Sequence, residues 1–312
     1  MGTIRAFAPA TVANAGPGFD VFGFALEKPG DFVEAKRVSE KGVRIASIKG
    51  DNGKLPKDAG KNTAGIAAQL VLGMLGKNAK DGESGVEISL EKNMPLGSGL
   101  GSSGASAVAA AVAVNELFGN KLKRGELVLA CAKAEEAVAG FHADNVAPAL
   151  LGGFVLVKSY SPLSVVKIGC LENAFFSVAT PDFELSTKKA RSVLPKEIPM
   201  KEAISNWGNT ALMIHALHTQ NVKLFGEAVN DAVVEPRRAS LIQGFYDVKK
   251  SALEAGALGC SISGAGPSVF CVSENKAVAE SAVKAMQEAF SKNGVESGAV
   301  VSKMNVKGAA VL

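Results

Sequence analysis

The sequence has little cysteine. Only 4 of its 312 residues are cysteines, at positions 131, 170, 260 and 271, and no two of them form a Cys-x-x-Cys pair. Disulfide frameworks and zinc sites are recognised by closely spaced cysteines. The spacing therefore indicates neither kind of site, and it predicts reduced cysteines in the core.

Long apolar runs and an excess of one charge are also missing. No segment approaches the roughly 20 consecutive apolar residues that span a bilayer, and the N-terminus lacks the unbroken apolar stretch of a signal peptide. The 34 Lys and Arg nearly balance the 30 Asp and Glu, which leaves a formal net charge of +4. We therefore expect a cytoplasmic protein with no nucleic-acid or membrane partner, although this mild basicity suits an anionic small ligand.

Apolar patterning predicts a mixture of strands and helices. Residues 85–92, GVEISLEK, alternate apolar and polar side chains as a strand with one buried face does. Helical patterns follow at 105–118 and 126–140. The other predicted strands are 3–7, 31–38, 152–160, 163–169, 175–181, 261–273 and 297–304, and the other predicted helices are 64–76, 201–218, 222–232, 240–256 and 276–290. This order is α+β, unlike a continuous βαβα series, and a change of domain is predicted at residues 161 and 162.

A segment rich in glycine and serine, PLGSGLGSS at 95–103, joins the strand at 85–92 to the helix that follows. A Walker loop ends in Gly-Lys-Ser or Gly-Lys-Thr, and no lysine follows Gly101. Gly99, Gly101 and Gly104 match the GxGxxG pattern of dinucleotide sites. However, the preceding strand alternates, and no acidic residue ends a second strand about 20 residues later. Both of these assignments are therefore disfavoured.

Another kind of nucleotide loop explains this segment better. Glycines let backbone N–H groups approach phosphate oxygens closely, and Ser102 and Ser103 add hydroxyl donors. The helix that begins here directs the positive end of its dipole at an anion. A tight turn with serine caps is the structural alternative.

The segment 95–103 resembles the phosphate-binding motif of the GHMP kinases, a superfamily of small-molecule kinases. Three further segments resemble the homoserine kinase branch of that superfamily. They are PATVANAGPGFDVFG at 9–23, HADNVAPALLGGFVL at 142–156 and SISGAGPSVFCV at 261–272. The four motifs occur in the order of the family, so the resemblance covers essentially the whole chain.

The resemblance implies a GHMP kinase fold of class α+β. Residues 1–161 would form an N-terminal ATP-binding domain of the ribosomal S5 domain 2-like type, and residues 162–312 a ferredoxin-like domain, with the active site between them. The implied reaction is ATP-dependent phosphorylation of the L-homoserine hydroxyl in threonine biosynthesis, with Mg²⁺, by a homodimer. Two alternatives stay open: a GHMP kinase for another small alcohol, and a relative that binds ATP without turnover.

The resemblance also implies which residues contact the nucleotide and the metal. The predicted ATP-binding residues are Pro95, Leu96, Gly97, Ser98, Gly99, Leu100, Gly101, Ser102, Ser103 and Asn62. Asn62 and its neighbour Thr63 are candidates for the adenine pocket. Ser103 and Glu135 are the predicted Mg²⁺ ligands, and Glu136 competes with Glu135 because the spacing that aligns them varies.

The acceptor site follows from the same comparison. Its predicted residues are Asn14, Asp20, His142, Thr187, Arg191, Arg238 and Gly264. Asp20 suits the ammonium of an amino acid, while the arginines suit a carboxylate because a guanidinium can bind it in a bidentate manner. Arg238 is preferred to Arg237 because it lies two residues after Pro236, as in the family pattern.

Asn145 occupies a position where other GHMP branches place an aspartate as a base. A side-chain amide cannot accept a proton at neutral pH. The resemblance therefore implies catalysis through alignment and stabilisation of transition-state charge, with Asn145, Ser103 and Glu135 as the catalytic residues. Asp144 is the alternative base.

Overall fold

The computed structural model describes residues 2–76, 85–138 and 140–312. The strands in these ranges are β1 (Ile4–Ala13), β2 (Phe22–Val38), β3 (Val43–Lys49), β4 (Gly85–Glu91), β5 (Phe154–Tyr160), β6 (Leu163–Gly169), β7 (Phe175–Pro181), β8 (Gly259–Ile262), β9 (Val269–Ser273), β10 (Ser297–Ser302) and β11 (Ala310–Val311). The helices are α1 (Thr63–Gly76), α2 (Ser102–Leu117), α3 (Arg124–Glu136), α4 (Val146–Leu151), α5 (Thr187–Ser192), α6 (Met200–His218), α7 (Val222–Ala228), α8 (Glu235–Arg238), α9 (Phe245–Glu254) and α10 (Lys276–Lys292).

The first sheet is built around the long strand β2. Its N-terminal part pairs with β5, its C-terminal part pairs with β4, and β1 pairs with it along both parts; all three pairings are antiparallel. β11 adds to the outer edge of β1, and β3 pairs in parallel with β4 through the crossover helix α1. β2 therefore places the segment before it, residues 14–21, at the end of the sheet next to β5.

Helix α2 lies in the centre of the first layer, against β1, β2 and α1. Its sequence is mostly alanine and valine, and side chains are buried on all its faces. A helix that is apolar all round is a core helix, and small side chains let its neighbours approach closely. The N-terminus of α2 is thereby held in a fixed position behind the glycine-rich segment 95–103, the predicted phosphate loop.

The second sheet has the order β10-β7-β9-β8 and is antiparallel throughout. Helices α9 and α10 pack on it. This arrangement is the ferredoxin-like split βαβ unit, and the predicted α+β class is confirmed. β6 pairs with β5 in the first sheet, so a division of the chain at residues 161 and 162 stays a prediction.

Several predicted boundaries are wrong. The predicted strand 261–273 is two strands, β8 and β9, because Gly264 and Gly266 have φ values of 59° and 83°, which a strand does not accommodate. α3 ends at Glu136 rather than near Gly140, and α2 begins three residues earlier than predicted. α7 also ends at Ala228, four residues early.

In the described ranges, no helix combines the length and the apolar character needed to cross a bilayer.

A buried ion pair, which the sequence did not reveal, supports the start of α2. Lys92 Nζ contacts the Asp31 carboxylate, and it also donates to Ser102 O at 2.9 Å and to Ser106 Oγ at 2.6 Å. The two charged side chains are 1% and 0% exposed. Burial lowers the pKa of Lys92, while Asp31 opposes that shift. The pair therefore joins β2 and the end of β4 to the first turn of α2.

We expect Asp31→Asn to destabilise the protein by about 3–5 kcal/mol, because it leaves the Lys92 ammonium buried without a counter-charge. Urea unfolding at neutral pH measures the effect. Asp58→Asn is the matched control, since Asp58 faces Lys61 at 3.6 Å on the surface, where an ion pair contributes about 0–1 kcal/mol. Equal unfolding free energies for the two variants would contradict this account.

Candidate active site

The loop before α2 has a backbone that only glycine adopts easily. Gly97, Gly99 and Gly101 have φ values of 60°, 81° and 66°. A Cβ on Gly99 would lie 2.4 Å from Ser263 O, and one on Gly101 would lie 2.1 Å from Thr11 Oγ1. The positive φ values and the close neighbours together explain why this loop is rich in glycine.

The phosphate loop is anchored by several distant segments. The carbonyls of Gly97, Ser98 and Leu100 accept hydrogen bonds from backbone N–H groups at 3.0–3.1 Å; the donors are Leu185, Ser268 and Thr11. The Ser263 hydroxyl donates to Gly99 O at 2.8 Å. The loop is thus fixed against β1 and one end of the ferredoxin-like sheet, where β7 and β8 end and β9 begins. Gly101 is the N-cap of α2 and has no side chain that could accept hydrogen bonds from the helix. The first N–H groups of α2 therefore stay available to an anion.

Ser103 and Glu135 meet beside this loop. The Ser103 hydroxyl donates to Glu135 Oε1 at 2.6 Å, and Thr63 Oγ1 lies 3.1 Å from Ser103 Oγ. Glu135 is 8% exposed, whereas Glu136, one residue later on α3, faces solvent. Burial raises the pKa of Glu135, and the hydrogen bond from Ser103 opposes that shift. Of the two glutamates, only Glu135 lines the cavity with Ser103.

Asp20 lies at the centre of the predicted acceptor site. Arg191 NH2 donates to Asp20 Oδ1 at 2.6 Å and lies 3.2 Å from His142 Nδ1. The Tyr160 hydroxyl donates to Asp20 O at 2.8 Å, and Asp20 N donates to Asn14 Oδ1 at 3.0 Å. Burial, and then Arg191, lowers the pKa of His142, which favours a neutral imidazole. Asp20 and Arg191 therefore form an ion pair that a ligand with both charges can replace in part.

Gly264 and Arg238 complete the other side of this site. Gly264 O accepts hydrogen bonds from Asn14 Nδ2 at 2.6 Å and from Arg238 NH1 at 3.0 Å. Arg238 Nε donates to Ala190 O at 3.1 Å, and the side chain is 2% exposed. Burial, and then repulsion by Arg191, lowers the pKa of Arg238 to about 10. Arg237 turns instead to Glu202 at 2.7 Å.

A cavity of about 150 Å³ joins the phosphate loop to the acceptor cluster, which consists of the predicted residues Asn14, Asp20, His142, Thr187, Arg191, Arg238 and Gly264. The predicted residues that line it are Asn14, Asp20, Gly97, Ser98, Gly99, Gly101, Ser102, Ser103, Glu135, His142, Asn145, Thr187, Arg191, Arg238 and Gly264. Thr187 is the first residue of α5, one turn before Arg191. Segments that follow strands of both sheets, such as Asn14 after β1 and Gly264 after β8, thus surround one cleft.

The predicted residues Asn62, Pro95, Leu96 and Leu100 do not line this cavity. Asn62, Leu96 and Thr63 line a neighbouring cavity of about 240 Å³ on the other side of Ser103. Asn62 Nδ2 donates to Pro56 O at 3.0 Å, and Asn62 Oδ1 accepts from Ala64 N. Pro95 lines a third cavity, toward Asp182. Contact of these residues with a nucleotide stays a prediction.

Asn145 and Asp144 lie at the base of the cleft. Asn145 Oδ1 accepts from Thr11 Oγ1 at 2.8 Å, next to Gly101. Asp144 is 4% exposed, and burial, followed by the charge of Asp20, raises its pKa to about 7. A carboxyl group in this environment is partly protonated at neutral pH.

The raised pKa of Asp144 gives a pH dependence of stability. The unfolded chain ionises Asp144 near the ordinary aspartate pKa of 3.8 and the folded chain near 7, so ionisation destabilises the fold as the pH rises between these values. Asp144→Asn removes that cost, and we expect it to gain about 4 kcal/mol over the parent at pH 8 and less than about 1 kcal/mol at pH 4. Urea unfolding at both pH values measures this difference, and a difference that does not change with pH would contradict it.

Some residues of the site were not among the predicted ones. Thr11 and Tyr160 position Asn145 and Asp20 through hydrogen bonds, and Phe19 faces both arginines. Thr11 and Phe19 lie inside the first motif, so their positions pointed to the site although their contacts did not. Tyr160 follows the segment 142–156, and neither its residue type nor its spacing indicated a role.

Comparison with known proteins gives the family. The chain matches the family models of the GHMP kinases N terminal domain over residues 62–153 and of the GHMP kinases C terminal domain over residues 213–292. It is 46% identical to a homoserine kinase of Chlorobium phaeobacteroides, with 100% of both chains covered, and 45% identical to that of Arabidopsis thaliana, with 99% of this chain and 85% of the other covered.

Solved structures agree with this result. The crystal structure of homoserine kinase from Cytophaga hutchinsonii superposes with a TM-score of 0.95 at 48% identity, over 100% of this chain and 98% of the other. L. major mevalonate kinase, in complex with R-mevalonate, superposes with a TM-score of 0.74 at 16% identity, over 97% and 96% of the two chains, and shows the fold alone. The predicted GHMP kinase fold is therefore confirmed. The chain belongs to the homoserine kinase family of the GHMP kinases.

Proposed function

We propose that the protein transfers the γ-phosphoryl group of ATP to the hydroxyl of L-homoserine. The bond from the homoserine oxygen to the γ-phosphorus forms while the bond from that phosphorus to the bridging oxygen of ADP breaks. The hydroxyl proton passes to the phosphate or to solvent. The observation that carries this proposal is a cleft that holds Asp20, Arg191 and Arg238 and that opens directly onto a helix N-terminus and a glycine-rich loop.

The charges of the cleft suit an amino acid. Asp20 would bind the ammonium, and Arg191 with Arg238 would bind the carboxylate. Within the part of the chain that the structure describes, Arg191 Nε is buried without a hydrogen-bond partner, so the protein leaves this donor unsatisfied. Asn14, His142, Thr187 and Gly264 would enclose the acceptor. This arrangement supports homoserine over mevalonate or a sugar, which have no ammonium.

The phosphates of ATP would lie along Gly97–Ser103. Backbone N–H groups at the start of α2 and the positive end of its dipole favour anions at this position. The anchored carbonyls of the loop leave little to reorganise when the phosphates bind. The cavity beside Asn62 is the proposed position of adenine.

Ser103 and Glu135 fit a Mg²⁺ site. A hydroxyl and a buried carboxylate whose oxygens lie 2.6 Å apart supply two hard ligands next to the phosphate loop. Among the described residues, no group of three or more His, Cys, Asp or Glu could hold a metal ion alone, which suits an ion that takes its other ligands from phosphates and water. When bound, Mg²⁺ neutralises charge on the phosphates during transfer.

Asn145 suits a role in alignment rather than proton transfer. Its amide is fixed by Thr11 and lies beside Gly101, so it can orient the acceptor hydroxyl toward the phosphate loop. Positioning and electrostatic stabilisation are the main sources of rate in phosphoryl transfer. If Asp144 acted as the base instead, Asp144→Asn would lose most of its kcat, whereas alignment predicts a kcat within about tenfold of the parent.

The first test is ADP release by the purified protein with MgATP and one acceptor at a time. The acceptors are L-homoserine, D-homoserine, L-serine, L-threonine, mevalonate and galactose. Release confined to L-homoserine supports the proposal. Turnover of mevalonate or galactose instead would refute the acceptor assignment, and ATP binding without ADP release would favour a non-catalytic relative.

The resemblance also supports a homodimer as the assembled form. Sedimentation velocity of the purified chain measures its mass in solution. A single species of about twice 32.0 kDa is the expected result, and a monomer at micromolar concentration would contradict it.

A further inference from the structure

Phe19 lies between β1 and β2, directly before Asp20, and its ring faces two cations. The guanidinium carbons of Arg191 and Arg238 are each 5.1 Å from the ring centroid. Contacts within about 6 Å of the centroid are favourable because the ring face carries negative quadrupole charge. One aromatic ring therefore contacts both groups that are proposed to bind the acceptor carboxylate.

The two arginines need such a partner. Each repels the other, and Arg238 is almost fully buried, so its charge is costly to hold in place. Asp20 neutralises part of this charge through Arg191, and His142 adds none while its imidazole is neutral. Phe19 stabilises a further part of this positive charge. The ring does so without adding an anion, which would compete with the substrate carboxylate for the arginines.

The position of Phe19 differs from that of an ordinary core aromatic residue. Phe22, three residues later, is 3% exposed and packs edge-on against Phe154 at 5.0 Å. Phe19 is half-buried, and it lines both the active-site cavity and an adjacent apolar groove beside Trp207. The ring thus forms a wall between the groove and the arginines.

We infer that Phe19 is a positioning residue for the acceptor: its ring holds Arg191 and Arg238 in the orientation that receives the substrate carboxylate. This inference rests on the proposed function, because the carboxylate is that of L-homoserine. It concerns a residue that acts through the two arginines and not one that touches the reacting atoms. Because the ring acts on acceptor binding, its loss should raise KM for the acceptor more than it changes kcat.

The experiment compares Phe19→Leu, which removes the ring, with Phe19→Tyr, which keeps it. We expect Phe19→Leu to raise KM for L-homoserine about tenfold or more, with kcat and KM for MgATP within about twofold, and Phe19→Tyr to stay close to the parent. Phe22→Leu is the matched control, because it makes the same substitution in the same segment without a guanidinium neighbour. It should lower thermal stability and leave KM unchanged.

Two further measurements separate electrostatics from packing. Replacement of Phe19 by phenylalanines with one, two and three fluorine atoms weakens the ring quadrupole at nearly constant shape, and KM should rise steadily along this series. With 2-amino-1,4-butanediol, an acceptor without the carboxylate, the series should leave KM unchanged. A flat series with L-homoserine, or equal KM for Phe19→Leu and the parent, would overturn the inference. Failure of the parent itself to phosphorylate L-homoserine would instead overturn the proposed function.

Discussion

Asp20→Asn is expected to raise KM for L-homoserine about 100-fold. The substitution removes the negative charge that would bind the substrate ammonium, and hydrogen bonds to charged groups contribute about 1.5–3 kcal/mol. It also takes the counter-charge from Arg191, whose NH2 group lies 2.6 Å from Asp20 Oδ1. Steady-state ADP release at saturating MgATP measures the change.

Asparagine is the informative replacement at this position. Asp20 has a φ of 58°, which asparagine tolerates better than alanine does, so Asp20→Asn isolates the charge while Asp20→Ala adds backbone strain. KM for MgATP should stay within about twofold of the parent, because Asp20 lies in the acceptor cluster and not on the phosphate loop. Asp247→Asn, at an exposed position on α9, controls for the loss of one negative charge. Equal homoserine kinetics in Asp20→Asn and the parent would refute the acceptor assignment.

The sequence predicted the local parts of the fold well. The alternation of GVEISLEK gives β4, the alanine-rich run gives α2, and the glycines between them take the positive φ values that a phosphate loop needs. Each of these features depends on neighbours in the chain, which is why periodicity and turn chemistry reveal it. Residues 261–273 were predicted as one strand because strand-forming residues stand at both ends of the segment, but the positive φ values of Gly264 and Gly266 make a turn between β8 and β9.

The contacts within the site could not be predicted from local sequence patterns. Asn14 bonds Gly264 across 250 positions, and Arg191 bonds Asp20 across 171. No local pattern encodes such pairs, so only the resemblance to the GHMP kinases placed these residues in one cleft. The buried pair of Lys92 and Asp31 was missed for the same reason. In the sequence, each is an ordinary charged residue, Lys92 at the end of a strand and Asp31 within one. Its two members meet because β2 and β4 are neighbours in the sheet.

Glu135→Gln is expected to reduce kcat about 1000-fold at moderate Mg²⁺ concentration and to raise the Mg²⁺ concentration that half-saturates activity. The loss follows from removal of one of two proposed protein ligands, since a bound metal contributes several kcal/mol of charge stabilisation to such reactions. ADP release as a function of free Mg²⁺ measures both quantities. Binding of Mn²⁺ with ADP, followed by electron paramagnetic resonance, gives a readout independent of turnover and should weaken in the same variant.

Stability separates loss of a metal ligand from damage to the fold. Burial raises the pKa of Glu135, so the ionised carboxylate destabilises the protein when no cation is bound, and a neutral glutamine removes that cost. Glu135→Gln should therefore be at least as stable as the parent without Mg²⁺, although it is nearly inactive with it. Glu136→Gln is the matched control, because its side chain lies in solvent one residue later and should leave activity unchanged. If Glu136→Gln rather than Glu135→Gln lost activity, the metal would be bound in the other register of α3, and the pairing of Ser103 with Glu135 would have only a structural role.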